Sequence, residues 1–401
     1  MFNSVRRYLF STGSLFTWGS SNGSLGYAVG SQQQMKGVSM PQLVNGFNNN
    51  VAQVQMGQNH SALITSDGEL YTWGTGNSGQ LGHNNDKDYN TPQLVEFFTK
   101  HNLKVKQVAL GDYHTVALTH DGDVWTWGYG GKEQNFLMDL LFLQVGALGH
   151  GDSKNRYTPT PVKALRSLKK IKYIQSGLRF TNAINENNEL YVWGKGDYGV
   201  FGDGNNKSFN IPQRNEFFEG YLKKELNLSI VKLKSCNNYS VALMSDGNLY
   251  GWGSNDFGQM GIKNEIGVEI YETANFPTQV VRDKFGNNKI VDFVVAEDLV
   301  AVLLDNNEVY WSGSKAEYSP VRFPLPSGIA KITNIGCCHR CIVVATEDGK
   351  LYYRKKFFGE GNEDLSTGII TNDVATVFQN QNAEVLEFGG AYRNRYAIVQ
   401  I

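Results

Sequence analysis

Cysteine is scarce: Cys236, Cys337, Cys338 and Cys341 are the four thiols in 401 residues. A disulfide-held scaffold of this length would need more, so reduced thiols in an intracellular setting are expected. Proline is scarce as well, at 9 against 44 glycines, which excludes a collagen-like chain and favours many turns. Net charge is nearly absent. The 37 basic and 38 acidic residues leave −1, which excludes the positive field that non-specific nucleic-acid binding requires. No apolar run reaches the roughly 18 residues of a membrane-spanning helix, so no transmembrane span is expected. Acid is missing from the amino-terminal part, where no Asp or Glu precedes Asp67. Arg6 and Arg7 stand there among Ser4, Ser11, Thr12 and the apolar Phe2, Val5, Leu9 and Phe10. That composition fits a mitochondrial transit peptide and suggests a tail or targeting segment over 1–13. A solvated tail on a cytoplasmic or nuclear protein is the alternative.

What is present is repetition. HSALITSDGELYTWGTGNSGQLGH starts at His60, HTVALTHDGDVWTWGYGG at His114, TNAINENNELYVWGKGDYGVFGDG at Thr181 and YSVALMSDGNLYGWGSNDFGQMG at Tyr239. LVAVLLDNNEVYWSG at Leu299 and CIVVATEDGKLYY at Cys341 continue the series. In each unit an apolar strand runs into a two-residue turn, such as Asp67-Gly68 or Asn187-Asn188. Those residue types tolerate the positive φ of a tight hairpin. A second strand follows and ends in an aromatic, with Trp73, Trp127, Trp193 and Trp252 at one offset. Turn-to-turn spacings of 54, 66, 59, 60 and 42 residues are too long for helix-pair repeats and suit one small antiparallel sheet per unit. Sheets of that size repeated radially make a β-propeller. The ends complete the count: YAIVQI (396–401) reads as a first strand lacking its second, and SLFTWG (14–19) as a second lacking its first. Paired, they make a seventh unit and leave no open edge. The expected fold is all-β, a seven-bladed propeller over 14–401 closed by its terminal strands.

These motifs resemble the RCC1 family (regulator of chromosome condensation 1) from Ser14 to Ile401. The likeness is strong in the second to fifth units and weak in the sixth and seventh, where Ser312 and Arg354 replace tryptophan. The resemblance implies a propeller that works as a guanine-nucleotide exchange factor, a chromatin-docking module or an interaction domain. Fold does not choose among these.

The chemistry-bearing motifs dissolve into the repeat. Gly74, Gly76 and Gly79, like Gly194, Gly196 and Gly199, match a dinucleotide fingerprint, but that fingerprint binds phosphate only between a strand and a helix. Here no helical pattern follows, so the glycines belong to turns. The cluster CCHRC (337–341) offers three thiols and His339, yet a structural zinc site draws on two separated pairs. Buried cysteines at a strand end are the expected reading. His60 and His114 each follow a glycine by three residues. The resemblance gives such histidines a turn-fastening role on a rim that also contributes to partner binding. Phe180, Tyr239, Leu299, Cys341 and Arg395 take the position elsewhere, so the structural role is favoured and both histidines are kept as partner-contact candidates. No catalytic set, metal site or cofactor is expected.

One segment does not belong to the repeat. Trp73 precedes Leu81 of the LG pair by 8 residues, whereas Trp127 precedes Leu148 by 21. Removing Lys132 to Gln144 leaves WGYGGVGALGHGD, a faultless unit, so this is a 13-residue insert in a surface turn. Phe136, Leu137, Leu140, Leu141 and Phe142 have helical spacing, and an exposed apolar patch marks a protein or membrane-surface contact. Three readings stand: a docking finger, an analogue of the wedge with which the RCC1 exchange factor works on its GTPase, and a short retained intron whose residues are absent from the mature protein. The expected function is a non-enzymatic interaction scaffold within a large mitochondrial assembly, respiratory or ribosomal. Exchange on a small GTPase is the alternative.

Overall fold

The computed structural model describes residues 12–19, 24–27, 38–131, 146–262, 272–315, 317–339, 341–353, 370–391 and 394–401. Among them, twenty-eight strands form seven four-stranded antiparallel sheets. Blade 1 is built from both chain ends, and the order from centre to rim is Glu384–Ala391, Asn394–Gln400, Ser14–Gly19 and Val38–Leu43. Blades 2 to 7 follow along the chain, each with four consecutive strands. The closing ladder pairs Ser14 with Val399 through to Gly19 with Asn394. The expected seven-bladed ring, closed by its terminal strands, is therefore what the chain forms.

The middle hairpin of each blade is the motif read from the sequence. In blade 2 His60–Thr65 is buried along its whole length and pairs with Leu70–Gly74 across the Asp67-Gly68 turn, where Gly68 takes φ 77°. Asn188 and Asn307 adopt φ 62° and 69° at matching turns, the left-handed region that asparagine tolerates. After Trp193 the chain makes only a three-residue 3-10 turn, Asp197–Gly199. The glycine series is turn, with no helix behind it.

The scarce prolines are concentrated at the rim. Pro41, Pro92, Pro159, Pro212, Pro277 and Pro320 each hold the fourth position of an outermost strand. Proline cannot donate to a ladder, so it belongs on an edge, where it blunts pairing with another chain. Every one of those six outer pairings carries a register shift. Blade 7 has no proline in its outer strand Ile370–Asp373, and its pairing runs without a shift.

At the centre, each innermost strand packs on the next, and Glu384–Ala391 packs on both Ile332–Cys338 and Val51–Met56. Side chains tie these strands through backbone groups of the following blade. The Gln53 amide accepts from Val108 N–H and donates to Val108 C=O, both at 3.2 Å. Gln107 does the same with Ile174 at 3.0 and 2.8 Å. Tyr173 donates to Leu233 C=O at 2.7 Å, and Asn334 to Val385 C=O at 3.0 Å.

Tryptophans lock the blades further out. Trp73, Trp127, Trp193 and Trp252 are fully buried. Trp127 Nε1 donates to Gln80 C=O of the preceding blade at 2.9 Å, and Trp252 Nε1 to Val200 C=O at 3.0 Å. Blade 6 has Ser312 instead, and its hydroxyl makes the matching bond to Gln259 C=O at 2.8 Å. The blade that looks degenerate in sequence keeps the tie with a smaller donor.

Candidate functional site

The turns between the first and second strands and the long connections between the third and fourth emerge on one face. The connection in blade 3 carries the insert. Its apolar residues Phe136, Leu137, Leu140, Leu141 and Phe142 lie outside the described residues, as does the amino-terminal stretch 1–11. Its base is described. Gly130 N–H donates to Asn155 Oδ1 at 2.9 Å. A Cβ on Gly146 would lie 3.0 Å from Gly130 C=O, so the chain leaves and re-enters at adjacent points. Blade 3 has all four strands, Val105–Leu110, His114–Thr119, Val124–Gly128 and Arg156–Pro161, without residues 132–145.

His60 and His114 sit under this face, at the starts of the second strands of blades 2 and 3. Both are buried, 0% and 1% exposed, so in this structure neither ring reaches the surface. His60 Nε2 lies 2.9 Å from Thr115 Oγ1, and that hydroxyl already donates to Gln80 C=O at 2.7 Å. His60 is therefore the donor. His114 Nε2 lies 3.0 Å from Ser176 Oγ and 3.4 Å from Thr181 Oγ1. Each histidine ties its blade to the next. Tyr239 serves the same position in blade 5 and donates to Ala296 C=O at 2.5 Å. The glycine three residues earlier makes room: a Cβ on Gly111 would meet the His114 ring at 2.0 Å. In blade 1 the position belongs to Asn394, the partner of Gly19, and not to Arg395, which pairs with Trp18. The innermost strand there, Glu384–Ala391, is eight residues long against six in blade 2, which displaces the count from the glycines.

Burial holds both imidazoles neutral, with the His60 pKa down at about 3 and that of His114 at about 4; the nearby His114 lowers His60 further. His60 Nδ1 has no hydrogen-bond partner among the described residues, so a proton there would be buried without an acceptor. The unfolded chain binds protons near pH 6.5 and the fold does not. Stability is thus complete above that value and falls as pH drops from about 6.5 towards 4. At pH 5 each ring should cost about 2 kcal/mol. Urea midpoints at pH 7.5 and pH 5 measure this, and His60→Gln should flatten the dependence. An equal slope in the variant would contradict it.

The polar part of the face lies at blades 5 to 7. His339 Nδ1 stands 3.3 Å from Glu297 Oε2 and 3.6 Å from Asp298 Oδ1. Asp298 also accepts from Ser314 Oγ at 3.0 Å. These three groups bring donor atoms within 4.8 Å of one another, and their contacts join blades 6 and 7. Beside it, a cleft of about 90 Å³ opens between Asn237, Asn238, Tyr239 and Glu297. It is far below the ~300 Å³ of an ordinary small-molecule site. On the outer flank, Phe217 packs against Tyr221 and Phe276 with centroids 5.3 and 4.8 Å apart. Tyr221 and Phe276 stay about half exposed, at 50% and 46%. The sequence reading missed both features. Glu297 and Asp298 occupy the turn that reads Gln58-Asn59 in blade 2, and comparing those turns would have found them. Among the described residues, no helix is long and apolar enough to cross a membrane.

The model of the regulator of chromosome condensation (RCC1) repeat matches residues 12–64, 67–118, 187–243 and 246–303. A second RCC1 repeat model matches 51–80, 105–134 and 230–259. The chain is 32% identical over 255 residues to the E3 ubiquitin-protein ligase HERC2 of Homo sapiens, covering 63% of this chain and 5% of the ligase. It is 32% identical to the ultraviolet-B receptor UVR8 of Arabidopsis thaliana, over 54% of this chain and 44% of the receptor. The mitochondrial RCC1 domain-containing protein RUG3 of Arabidopsis thaliana is 33% identical over 53% of this chain, again 44% of that relative. The chain thus spans less than half the length of each of these relatives. Among solved structures, Prp20p of Saccharomyces cerevisiae, a protein with binding properties to Gsp1p and histones, aligns at a TM-score of 0.74 and 18% identity, covering 98% of this chain and 93% of that one. Human WBSCR16 aligns at 0.73 and 16%, covering 97% and 99%. At such identities the likeness is one of fold.

Proposed function

The chain belongs to the regulator of chromosome condensation (RCC1) repeat family, and from that premise we propose that it is a non-enzymatic interaction scaffold, an accessory subunit or assembly factor of a large mitochondrial complex, respiratory or ribosomal. The observation that carries this reading is the completeness of blade 3 without its insert. An apolar segment that the ring does not need for folding is free to be used on a partner. In this reading Phe136, Leu137, Leu140, Leu141 and Phe142 make the first contact, while His60 and His114 serve the ring. The acid-free amino terminus and the mitochondrial relative RUG3 support the compartment.

Exchange on a small GTPase is the second reading, favoured by the fold shared with Prp20p. It needs no catalytic side chains, only a face that deforms a nucleotide site. Deleting residues 132–144 separates the two. The scaffold reading expects the variant to keep the parent's thermal midpoint and to lose co-migration with the large complex, with no acceleration of GDP release by either form. Acceleration of GDP release from a mitochondrial or nuclear GTPase would establish exchange instead. Full retention in the complex after the deletion would remove the insert from the account.

A further inference from the structure

We infer that Cys338 and Cys341 form a peroxide-sensitive dithiol, a site of reversible disulfide formation at the joint between blade 7 and the closing blade. The two cysteines close the hairpin that joins Ile332–Cys338 to Cys341–Thr346 and are direct Cα partners in its ladder. Such partners lie about 4.5–5.5 Å apart, inside the roughly 4.4–6.8 Å that a disulfide spans. The two thiols and the Arg395 guanidinium of blade 1 are near enough to shift one another's ionisation, and Cys341 Sγ lies 3.8 Å from the Ile342 C=O that accepts from it. The register sets the two side chains on the same side of the ladder, opposite one another.

The environment distinguishes this pair from an ordinary buried thiol. Cys338 faces Cys341 on the neighbouring strand, Arg395 on the closing blade and Glu297 on blade 6. The neighbouring Cys341 thiol, with help from the arginine, brings the Cys338 pKa down to about 7 despite burial. Burial and the neighbouring Cys338 push Cys341 up, and burial pushes Cys236 and Cys337 up. One thiol is ready to attack, and its partner waits in register.

Both sulfurs are buried, at 0% and 1% exposure, so the fitting oxidant is a hydroperoxide, a molecule close to water in size. The Cys338 thiolate attacks one peroxide oxygen, the O–O bond breaks, and Cys338 sulfenic acid forms. The departing hydroxide takes the proton that the thiol had released and leaves as water. Cys341 sulfur then attacks Cys338 sulfur; the S–O bond breaks, the S–S bond forms, and the hydroxide leaves as a second water with the Cys341 proton. Two thiols lose two electrons, and one hydrogen peroxide becomes two waters. A dithiol reductant reverses the product.

The test treats the full chain with hydrogen peroxide, then denatures, alkylates and maps it by mass spectrometry. The expected product is a Cys338–Cys341 disulfide with Cys236 and Cys337 still alkylated, lost again on adding dithiothreitol. In Cys341→Ser, dimedone should trap Cys338 as the sulfenic acid. Arg395→Met should slow oxidation at pH 7 by roughly threefold, since it removes the arginine's smaller share of the shift and leaves Cys341 in place. Should that variant fail to fold, the parent's own rate profile replaces it, with a plateau expected above about pH 7. Alkylated Cys338 and Cys341 in molecules whose methionines have been oxidised would overturn the proposal. So would a disulfide involving Cys236 or Cys337, or a rate still rising through pH 8.5.

Discussion

A chain ended after Ala391 is expected to show no cooperative unfolding transition. The lost strand, Asn394–Gln400, sits between Glu384–Ala391 and Ser14–Gly19 and carries the ladder pairing that joins the two ends of the chain in blade 1. It carries Tyr396, Ala397, Ile398 and Val399, all buried at 5% exposure or less. Burying each large apolar side chain is worth about 1.5–3 kcal/mol. Three of them account for roughly 5–9 kcal/mol, which is of the order of a whole domain's stability. The truncation also opens two strand edges, and open edges invite aggregation. Thermal melts followed by circular dichroism check this. A truncated chain that melts sharply at the parent's midpoint would mean that the ring does not depend on its terminal blade.

Trp127→Ala is expected to cost about 3–5 kcal/mol, the usual range for truncating a buried aromatic. The indole fills the seam between blades 2 and 3 and donates to Gln80 C=O at 2.9 Å. Gly82 lies directly against it: an added Cβ would stand 2.7 Å from Trp127 Nε1, and the backbone there has φ 78°. Gly82→Ala should therefore destabilise through both overlap and strain. In the Trp127→Ala background the overlap disappears, and only the strain of roughly 1 kcal/mol should remain. Urea unfolding of the two single variants and the double variant completes the cycle. Strict additivity would show that the glycine and the indole do not form one joint.

These two sites also mark how far the sequence could be read. The hairpins were legible because one turn chemistry and one tryptophan recur at fixed offsets. The terminal blade was legible because SLFTWG and YAIVQI each lack a partner. The central ties were not, since Gln53, Gln107, Tyr173 and Asn334 do the same work with different side chains. What they share is a backbone target, and no residue pattern records a backbone target. The rim strands were equally silent, because proline reads as a strand breaker until the strand is known to be an edge. Ser312 shows the opposite error: the missing tryptophan suggested a weak blade, while its hydroxyl keeps the bond. Of the candidate contacts, the two histidines turn out to be buried ties between blades. The insert stands out in sequence because it breaks the period, and that same break says nothing about what it touches. In sequence Cys338 and Cys341 look like an ordinary strand end, and it is the ladder that sets them opposite one another.

A ring that holds partners in an assembly should travel with them through fractionation. The most direct measurement is the native size of the endogenous protein in gently lysed mitochondrial fractions, followed by mass spectrometry of the fraction that contains it. The account predicts migration far above the monomer, co-fractionation with the subunits of one complex, and recovery of peptides from 132–144 in that fraction. Migration as a free monomer outside the mitochondrial fraction would contradict it.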